Sequence, residues 1–123
     1  MQTLTNVDCM NSSEYPSTPT QLLDLVDEWS EVFKVMSDPT RFRLLLVLHY
    51  QGPGQMTMTQ LAQECDLRPA TASAALRYMS NLGVVSVKRD GRRMMYSIAD
   101  QQVHELLHYI GDGAVMHRAS TKD

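Results

Sequence analysis

Apolar residues recur every three or four positions near the start of the chain and predict an amphipathic first helix from about Pro19 to Met36. The stripe is made of Leu22, Leu25, Val26, Trp29, Val32, Phe33 and Met36. Such a face is broad enough to serve both a core and a partner surface. Asp38-Pro39 then places a capping residue before a proline at the first helical position, which predicts a second helix that runs to about Tyr50.

The middle of the chain predicts two short helices joined by a tight turn. Thr57 and Gln60 match a capping box at the start of the third helix. Asp66-Leu67 forms the turn, Pro69 opens the fourth helix and Gly83 ends it. The residues expected to face inward are Leu61, Ala62 and Cys65 in the third helix, and Ala72, Leu76 and Met79 in the fourth.

A hairpin and a last helix complete the pattern. Strands Val84–Arg89 and Arg93–Ile98 flank Asp90-Gly91, a strong signal for a two-residue hairpin turn. A fifth helix begins near Asp100, and the glycines within residues 111–113 leave its end open. The order α-α-α-α-β-β-α predicts a mainly helical winged helix-turn-helix with a small β-hairpin wing.

Length and composition agree with one small domain. The chain has 123 residues, of which 43% are apolar. We expect a flexible polar arm over residues 1–18, the winged domain over 19–117 and a loose tail over 118–123. No run of 18 apolar residues could span a membrane. Two widely separated cysteines, Cys9 and Cys65, suit a reduced, cytoplasmic protein.

The charge is unevenly distributed, although the net charge is only −3. Residues 1–40 carry seven acidic residues against Lys34, whereas residues 68–93 carry six cations against Asp90. One face of the protein can therefore attract phosphate while another repels it.

A slim helix beside a cationic hairpin suits a reader of duplex DNA. We expect the fourth helix to enter the major groove, where arginine pairs with guanine and hydroxyls or methyl groups contact other base edges. The wing cations are expected to bind phosphate or the minor groove and to position rather than specify. The residues assigned to DNA are Arg68, Thr71, Ser73, Ala74 and Arg77 in the helix, and Lys88, Arg89, Arg92 and Arg93 in the wing. Alternatively, the helix face is merely solvated, and the wing charges only keep an exposed hairpin from aggregating.

An ordered set of segments resembles the ArsR/SmtB family of winged helix-turn-helix repressors over about residues 22–110. The segments are Phe33 to Leu45, Leu61-Ala62, Ala72 to Arg77, Gly83 to Val85, Arg89 to Arg92 and Tyr96 to Ile98. The resemblance implies a homodimer joined through its first and last helices. It also implies binding to palindromic operator DNA as a repressor that an effector releases. Many members carry histidine where this chain has Ala75, a difference that bears on operator choice.

The metal sites that the resemblance implies are incomplete in this sequence. The place of a Cys-x-Cys pair on the third helix holds Thr57-Met58-Thr59. In the last helix, Asp100 matches an Asp-x-His and His-x-x-Glu site, but Gln102, Gly113 and Met116 occupy the other positions.

Another set of candidate ligands recurs every four residues along that last helix. Asp100, His104, His108 and Asp112 can share one helical face, and His117 or a dimer mate could add a ligand for zinc, nickel or cobalt. Alternatively, these residues form only a polar stripe, since Gly111 interrupts the face before Asp112. His49, at the end of the second helix, is interpreted as structural.

Other effector chemistries and other functions remain open from the residues alone. Cys9 and Cys65 form a candidate thiol or redox pair. Alternatively, Cys65 is buried and inert, and Cys9 has no role. A regulator without any effector and a winged-helix module that binds proteins are further alternatives. The sequence has no glycine-rich phosphate loop, His-Glu-x-x-His or nucleophile elbow, so we do not expect an enzyme.

Overall fold

A computed structural model describes residues 15–122, with side chains as far as residue 113. The helices are α1 (Thr20–Met36), α2 (Pro39–Gln51), α3 (Met58–Glu64), α4 (Pro69–Asn81) and α5 (Gln101–Lys122), and the strands are β1 (Val85–Asp90) and β2 (Arg93–Ile98). This element order confirms the predicted winged helix-turn-helix. The chain forms two units, which divide between Ser30 and Glu31.

The N-terminal unit contains the first part of α1. Residues 15–19 precede the helix without regular secondary structure and are exposed. Four large apolar residues on this part of the helix are 43–58% exposed: Leu22, Leu23, Leu25 and Val26. The rest of the predicted arm, residues 1–14, lies outside the described residues.

The core of the second unit is built by the inward faces of its helices and the base of the hairpin. Val32, Val35 and Met36 are buried at the end of α1. The buried residues that follow include Leu44, Leu45, Leu48, Leu61, Ala62, Cys65, Ala72, Leu76, Met79, Val84, Val85, Met95, Val103 and Leu107. The inward residues predicted for the third and fourth helices are therefore confirmed.

Local capping determines where α2 and α3 begin. The Asp38 carboxylate accepts a hydrogen bond of 3.0 Å from the backbone N–H of Arg41, and Pro39 occupies the first helical position. At α3, Thr57 and Gln60 form the predicted capping box, in which each side chain accepts from the other residue's backbone N–H.

The turn between α3 and α4 depends on a left-handed residue. Asp66 has φ +56°, and the N–H of Leu67 donates to the carbonyl of Ala62 at 2.8 Å. Aspartate tolerates this region better than most non-glycine residues, because its short side chain is compatible with αL geometry. This turn sets the direction in which α4 leaves α3.

The hairpin is shifted by one residue from the predicted one. The strands pair Asp90 with Arg93, so the two-residue loop is Gly91-Arg92 rather than Asp90-Gly91. Gly91 has φ +67° at the first loop position, where a type II′ turn requires a positive φ. The type I′ turn signalled by Asp90-Gly91 would need positive φ at both of those residues, but Asp90 does not have it.

A third backbone segment extends the hairpin, and the sequence pattern did not predict it. Met56 forms a bridge with Tyr96 of β2. The N–H of Tyr96 donates to the Met56 carbonyl at 3.0 Å, and the N–H of Gly54 donates to the Tyr96 carbonyl at 3.1 Å. The wing is thus anchored to the segment that leads into α3.

The last helix extends beyond Gly111 and Gly113, the residues at which the sequence did not determine its end. Its backbone is helical through Gly111 and Gly113 to Lys122. Residues 118–122 are therefore helical, where a loose tail was predicted. None of the described helices is long and apolar enough to cross a membrane.

Candidate DNA interface and histidine cluster

Helix α4 separates a buried face from an exposed one. Ala72, Leu76 and Met79 face the core. On the other side Thr71, Ala74 and Arg77 are exposed, Arg68 is exposed just before the first turn, and Ser73 is half-buried at the flank. The structure therefore places all five helical residues assigned to DNA on or beside the solvent-facing side.

The outward face contains residues that the sequence analysis did not select. Ala70, Tyr78 and Asn81 are also exposed. Helical rotation of 100° per residue from the inward positions would have indicated them. Since Ala70 and Ala74 lie near its middle, this face offers little side-chain bulk against close approach of a partner.

Arg77 contacts its neighbour one helical turn earlier. Its Nη2 lies 3.4 Å from the Oγ of Ser73, the long end of the hydrogen-bond range. Guanidinium carries five N–H donors, so this contact leaves most of them for another acceptor. The pair forms a donor-rich patch at the middle of α4.

The wing carries its cations on both faces and at its tip. Lys88, Arg89, Arg92 and Arg93 are all exposed. Arg89 pairs with Met94, Lys88 pairs with Met95 on the opposite face, and Arg92 lies in the loop. Because β1 contacts α4, the hairpin that carries these charges adjoins the helix.

A second cluster lies between α2 and α5. The ring centroid of His49 is 5.2 Å from that of His104 and 5.7 Å from that of His108. The Nδ1 of His108 is 3.1 Å from a carboxylate oxygen of Asp112. Ligand atoms of His49, His108 and Asp112 all lie within 4.8 Å of one another.

The structure groups the predicted metal ligands differently from the sequence analysis. Asp100 caps α5, since its side chain accepts from the N–H of Val103 at 3.0 Å. The side chain of His117 lies outside the described residues. His49, interpreted as structural, adjoins His104 and His108, and no periodic pattern could have revealed this because the contact joins two helices.

Neither metal site implied by the family resemblance fits these residues. Thr57 is engaged in the capping box of α3, and Met58 and Thr59 offer no thiolate. In α5, Asp100 is engaged in the helix cap, and its expected partner positions hold Gln102 and Gly113.

The environment of Cys65 makes it a poor thiol sensor. The residue is 3% exposed, and burial raises the pKa of its thiol above the ordinary value. Its carbonyl oxygen accepts a hydrogen bond of 3.2 Å from Arg43. A buried, protonated thiol reacts slowly with oxidants and electrophiles. Cys9, the other member of the predicted pair, lies outside the described residues.

Comparison with known proteins finds a matching family model and related transcriptional regulators. A family model described as the MarR family matches residues 38–93, from the α2 cap to the start of β2. A cadmium resistance transcriptional regulatory protein, the CadC homolog of Staphylococcus aureus, is 33% identical over 63% of this chain and 63% of its own length. The HTH-type transcriptional regulator NmtR of Mycobacterium tuberculosis is 31% identical over 72% of this chain and 68% of its own length.

A solved structure also matches most of this chain. It is a homodimeric winged helix-turn-helix DNA-binding domain from Mycobacterium bovis, described as a possible ArsR-family transcriptional regulator. It is 26% identical, has a TM-score of 0.60 and covers 84% of this chain and 93% of that one. This chain belongs to the ArsR/SmtB family. The ArsR/SmtB resemblance predicted from the sequence is thereby confirmed. The chain spans less than two thirds of the length of the CadC homolog.

Proposed function

We propose that this ArsR/SmtB family member is a homodimeric, sequence-specific repressor that binds duplex operator DNA through α4 and the wing and is released by an effector. The observation that carries the proposal is the exposed α4 face with Arg77 at its centre, beside a hairpin with four exposed cations. A slim donor-bearing helix fits the major groove, and flanking cations suit the adjacent phosphates.

The individual roles follow from chemistry and position. Arg77 would donate to a base edge, with Ser73, Thr71 and Ala74 contacting neighbouring groups. Arg68, Lys88, Arg89, Arg92 and Arg93 would bind phosphate or the minor groove. The matched relatives are named as transcriptional regulators, and we propose no catalytic role.

A second copy of the chain is the proposed partner. The apolar residues exposed on α1 lie in a helix that, with α5, is expected to join two protomers. Burial of such side chains stabilises an interface. A dimer would also present two α4 helices to major grooves separated by about 34–36 Å, one turn of DNA.

A metal ion is the proposed class of effector. The CadC homolog is named for cadmium resistance, and another match is an antimony-specific repressor. In this chain the histidines near α5 offer nitrogen ligands suited to zinc, nickel or cobalt. An effector can act only if it binds the free and DNA-bound forms with different affinity. The thiol alternative is weaker because Cys65 is buried.

Selection from a pool of random duplexes tests the proposed function. The full chain is offered the pool in chelator, and bound molecules are sequenced over successive rounds. The proposal predicts an inverted repeat whose half-sites are about 10–10.5 base pairs apart, or a multiple of that spacing. A parallel selection with the Arg77→Ala variant should lose preference at the base pairs that Arg77 contacts. A pool that stays random with the wild-type chain contradicts sequence-specific binding.

A further inference from the structure

Three histidine rings from two helices meet on one side of the fold. His49 belongs to the last turn of α2, whereas His104 and His108 lie one turn apart on α5. The rings of His104 and His108 are stacked with centroids 6.4 Å apart, and His49 approaches both edge-on. This cluster is separate from the α4 and wing surface proposed to bind DNA.

The cluster contains donor atoms at a separation close to that of a metal site. Zinc bonds to nitrogen and oxygen are about 2.0–2.2 Å long, so two ligands of a tetrahedral ion lie about 3.3–3.6 Å apart. The contact of 3.1 Å between His108 and Asp112 already approaches this separation. The group of His49, His108 and Asp112 is held within 4.8 Å, so modest side-chain rotations bring all three donors to one ion.

His49 has an unmet hydrogen-bonding capacity at this place. Its Nδ1 is buried and has no hydrogen-bond partner within the described part of the chain. A buried polar atom without a partner costs free energy, and the imidazole occupies this place despite that cost.

The backbone of α5 lies close to the end of α2 at Gly111. A Cβ atom at Gly111 would lie 3.7 Å from Cδ2 of His49 and 3.9 Å from Cδ2 of Leu46. These are ordinary van der Waals distances, so Gly111 lies directly against the end of α2. Because α5 stays helical through Gly111, Asp112 remains one turn from His108.

We propose that His49, His108 and Asp112 form a site within one protomer for a divalent transition-metal ion such as zinc, cobalt or nickel. Three protein ligands leave room for water, and the set of two imidazoles and one carboxylate suits these ions. The ion would join the end of α2 to α5. Its regulatory consequence, a change in operator affinity when α5 is fixed, rests on the proposed function, whereas binding of the ion does not.

Titration of the metal-free full chain with cobalt(II) tests the site without DNA. Absorption by the bound ion and calorimetry report stoichiometry and affinity, and zinc competes for the same site. The proposal predicts one ion per protomer and a loss of affinity of about tenfold or more in His49→Gln, since even outer-shell partners contribute about 10–100-fold. Asp112→Asn should also weaken binding, and as an exposed, isosteric change it leaves the fold intact.

Two matched variants separate this site from a set confined to α5. His104→Gln removes a neighbouring imidazole outside the proposed ligand set, and His117→Gln removes a predicted ligand of the α5 set. Both should still bind one cobalt ion per protomer and should lose less affinity than His49→Gln, because neither residue is a proposed ligand. Unchanged binding by both His49→Gln and Asp112→Asn would overturn the proposal. Duplex affinity measured in chelator is a separate readout, so failure of the metal site leaves the test of DNA binding intact.

Discussion

The guanidinium carbon of Arg41 lies 4.7 Å from the ring centroid of Tyr78 and so links the first turn of α2 to α4. The same side chain donates to the carbonyls of Val35, at 2.9 Å, and Lys34, at 3.1 Å. Arg41 therefore satisfies the last carbonyls of α1 while its flat face packs on the aromatic ring. This relationship supports the helix proposed to read DNA.

We predict that Arg41→Ala destabilises the fold by about 1–3 kcal/mol, because it removes hydrogen bonds from a charged donor and a cation–π contact. Arg41→Lys should recover only part of the loss, since an ammonium lacks the planar fork. Chemical denaturation monitored by circular dichroism measures both changes, with Arg89→Ala on the exposed wing as the control. Equal stability of Arg41→Ala and the control would contradict this role.

The turn at Asp66 gives a second stability prediction. Asp66→Gly should match or exceed wild-type stability, because glycine adopts the observed φ of +56° without a Cβ penalty. Asp66→Val should cost about 1–2 kcal/mol, since a β-branched residue is strained in this region. Denaturation midpoints of the two variants measure the difference. A valine variant as stable as the glycine variant would show that the turn does not constrain α4.

Acidification should destabilise the metal-free protein in part through His49. Its folded-state pKa is below the ordinary value of 6.5, because burial disfavours the imidazolium and the histidine neighbours oppose it more than Asp112 favours it. At pH values between the folded-state pKa of His49 and 6.5, the unfolded chain thus binds more protons than the folded protein. The free energy of unfolding therefore falls as the pH drops through and below 6.5. Above that range the contribution is fully present.

Melting temperatures between about pH 7.5 and about pH 5.5, in chelator, test this linkage. The wild type should lose more stability on acidification than His49→Gln, which cannot titrate at this position. His104→Gln should fall between the two, because it retains the buried His49 ring but removes one of the groups that lower its pKa. Parallel pH profiles for wild type and His49→Gln would contradict the contribution of His49.

Arg77 and the wing arginines should affect DNA binding differently. Arg77→Ala should weaken operator binding by about 1–3 kcal/mol and relax specificity at one position, as expected when a base contact is lost. The double variant Arg92→Ala/Arg93→Ala should lower affinity evenly for all duplexes and keep the same preferred sequence. Fluorescence anisotropy with an operator and single-base variants separates the outcomes. Unchanged operator affinity in Arg77→Ala would exclude the base contact.

Much of the fold was predictable because its signals are local. Asp38 and Pro39 determine the start of α2, and the Thr57 capping box determines the start of α3. Each of these signals acts within one helical turn, so no knowledge of packing is needed. The inward positions of α4, Ala72, Leu76 and Met79, followed in the same way from the periodicity of its apolar residues.

The unpredicted features depend on contacts between distant segments. His49 joins the α5 histidines only through helix packing, and the Met56 bridge to Tyr96 involves a single residue without any periodic pattern. The hairpin loop moved by one residue because Gly91 satisfies the first position of one turn type as well as the second of another. The apolar stripe of α1 could not show whether its partner is the same chain or another copy.

The most direct test of the central claim is the affinity of the full chain for a random-sequence duplex as salt is varied in chelator. With Arg68 and the four wing cations assigned to phosphate, five per protomer and so ten per dimer, the logarithm of the binding constant should fall with the logarithm of salt at a slope near −9, an estimate from about 0.9 per neutralised phosphate. Removing Arg92 and Arg93 should flatten that slope by about 3–4, since a dimer loses four cations. No duplex binding at low salt, or binding that ignores salt, would contradict an account in which this surface reads DNA.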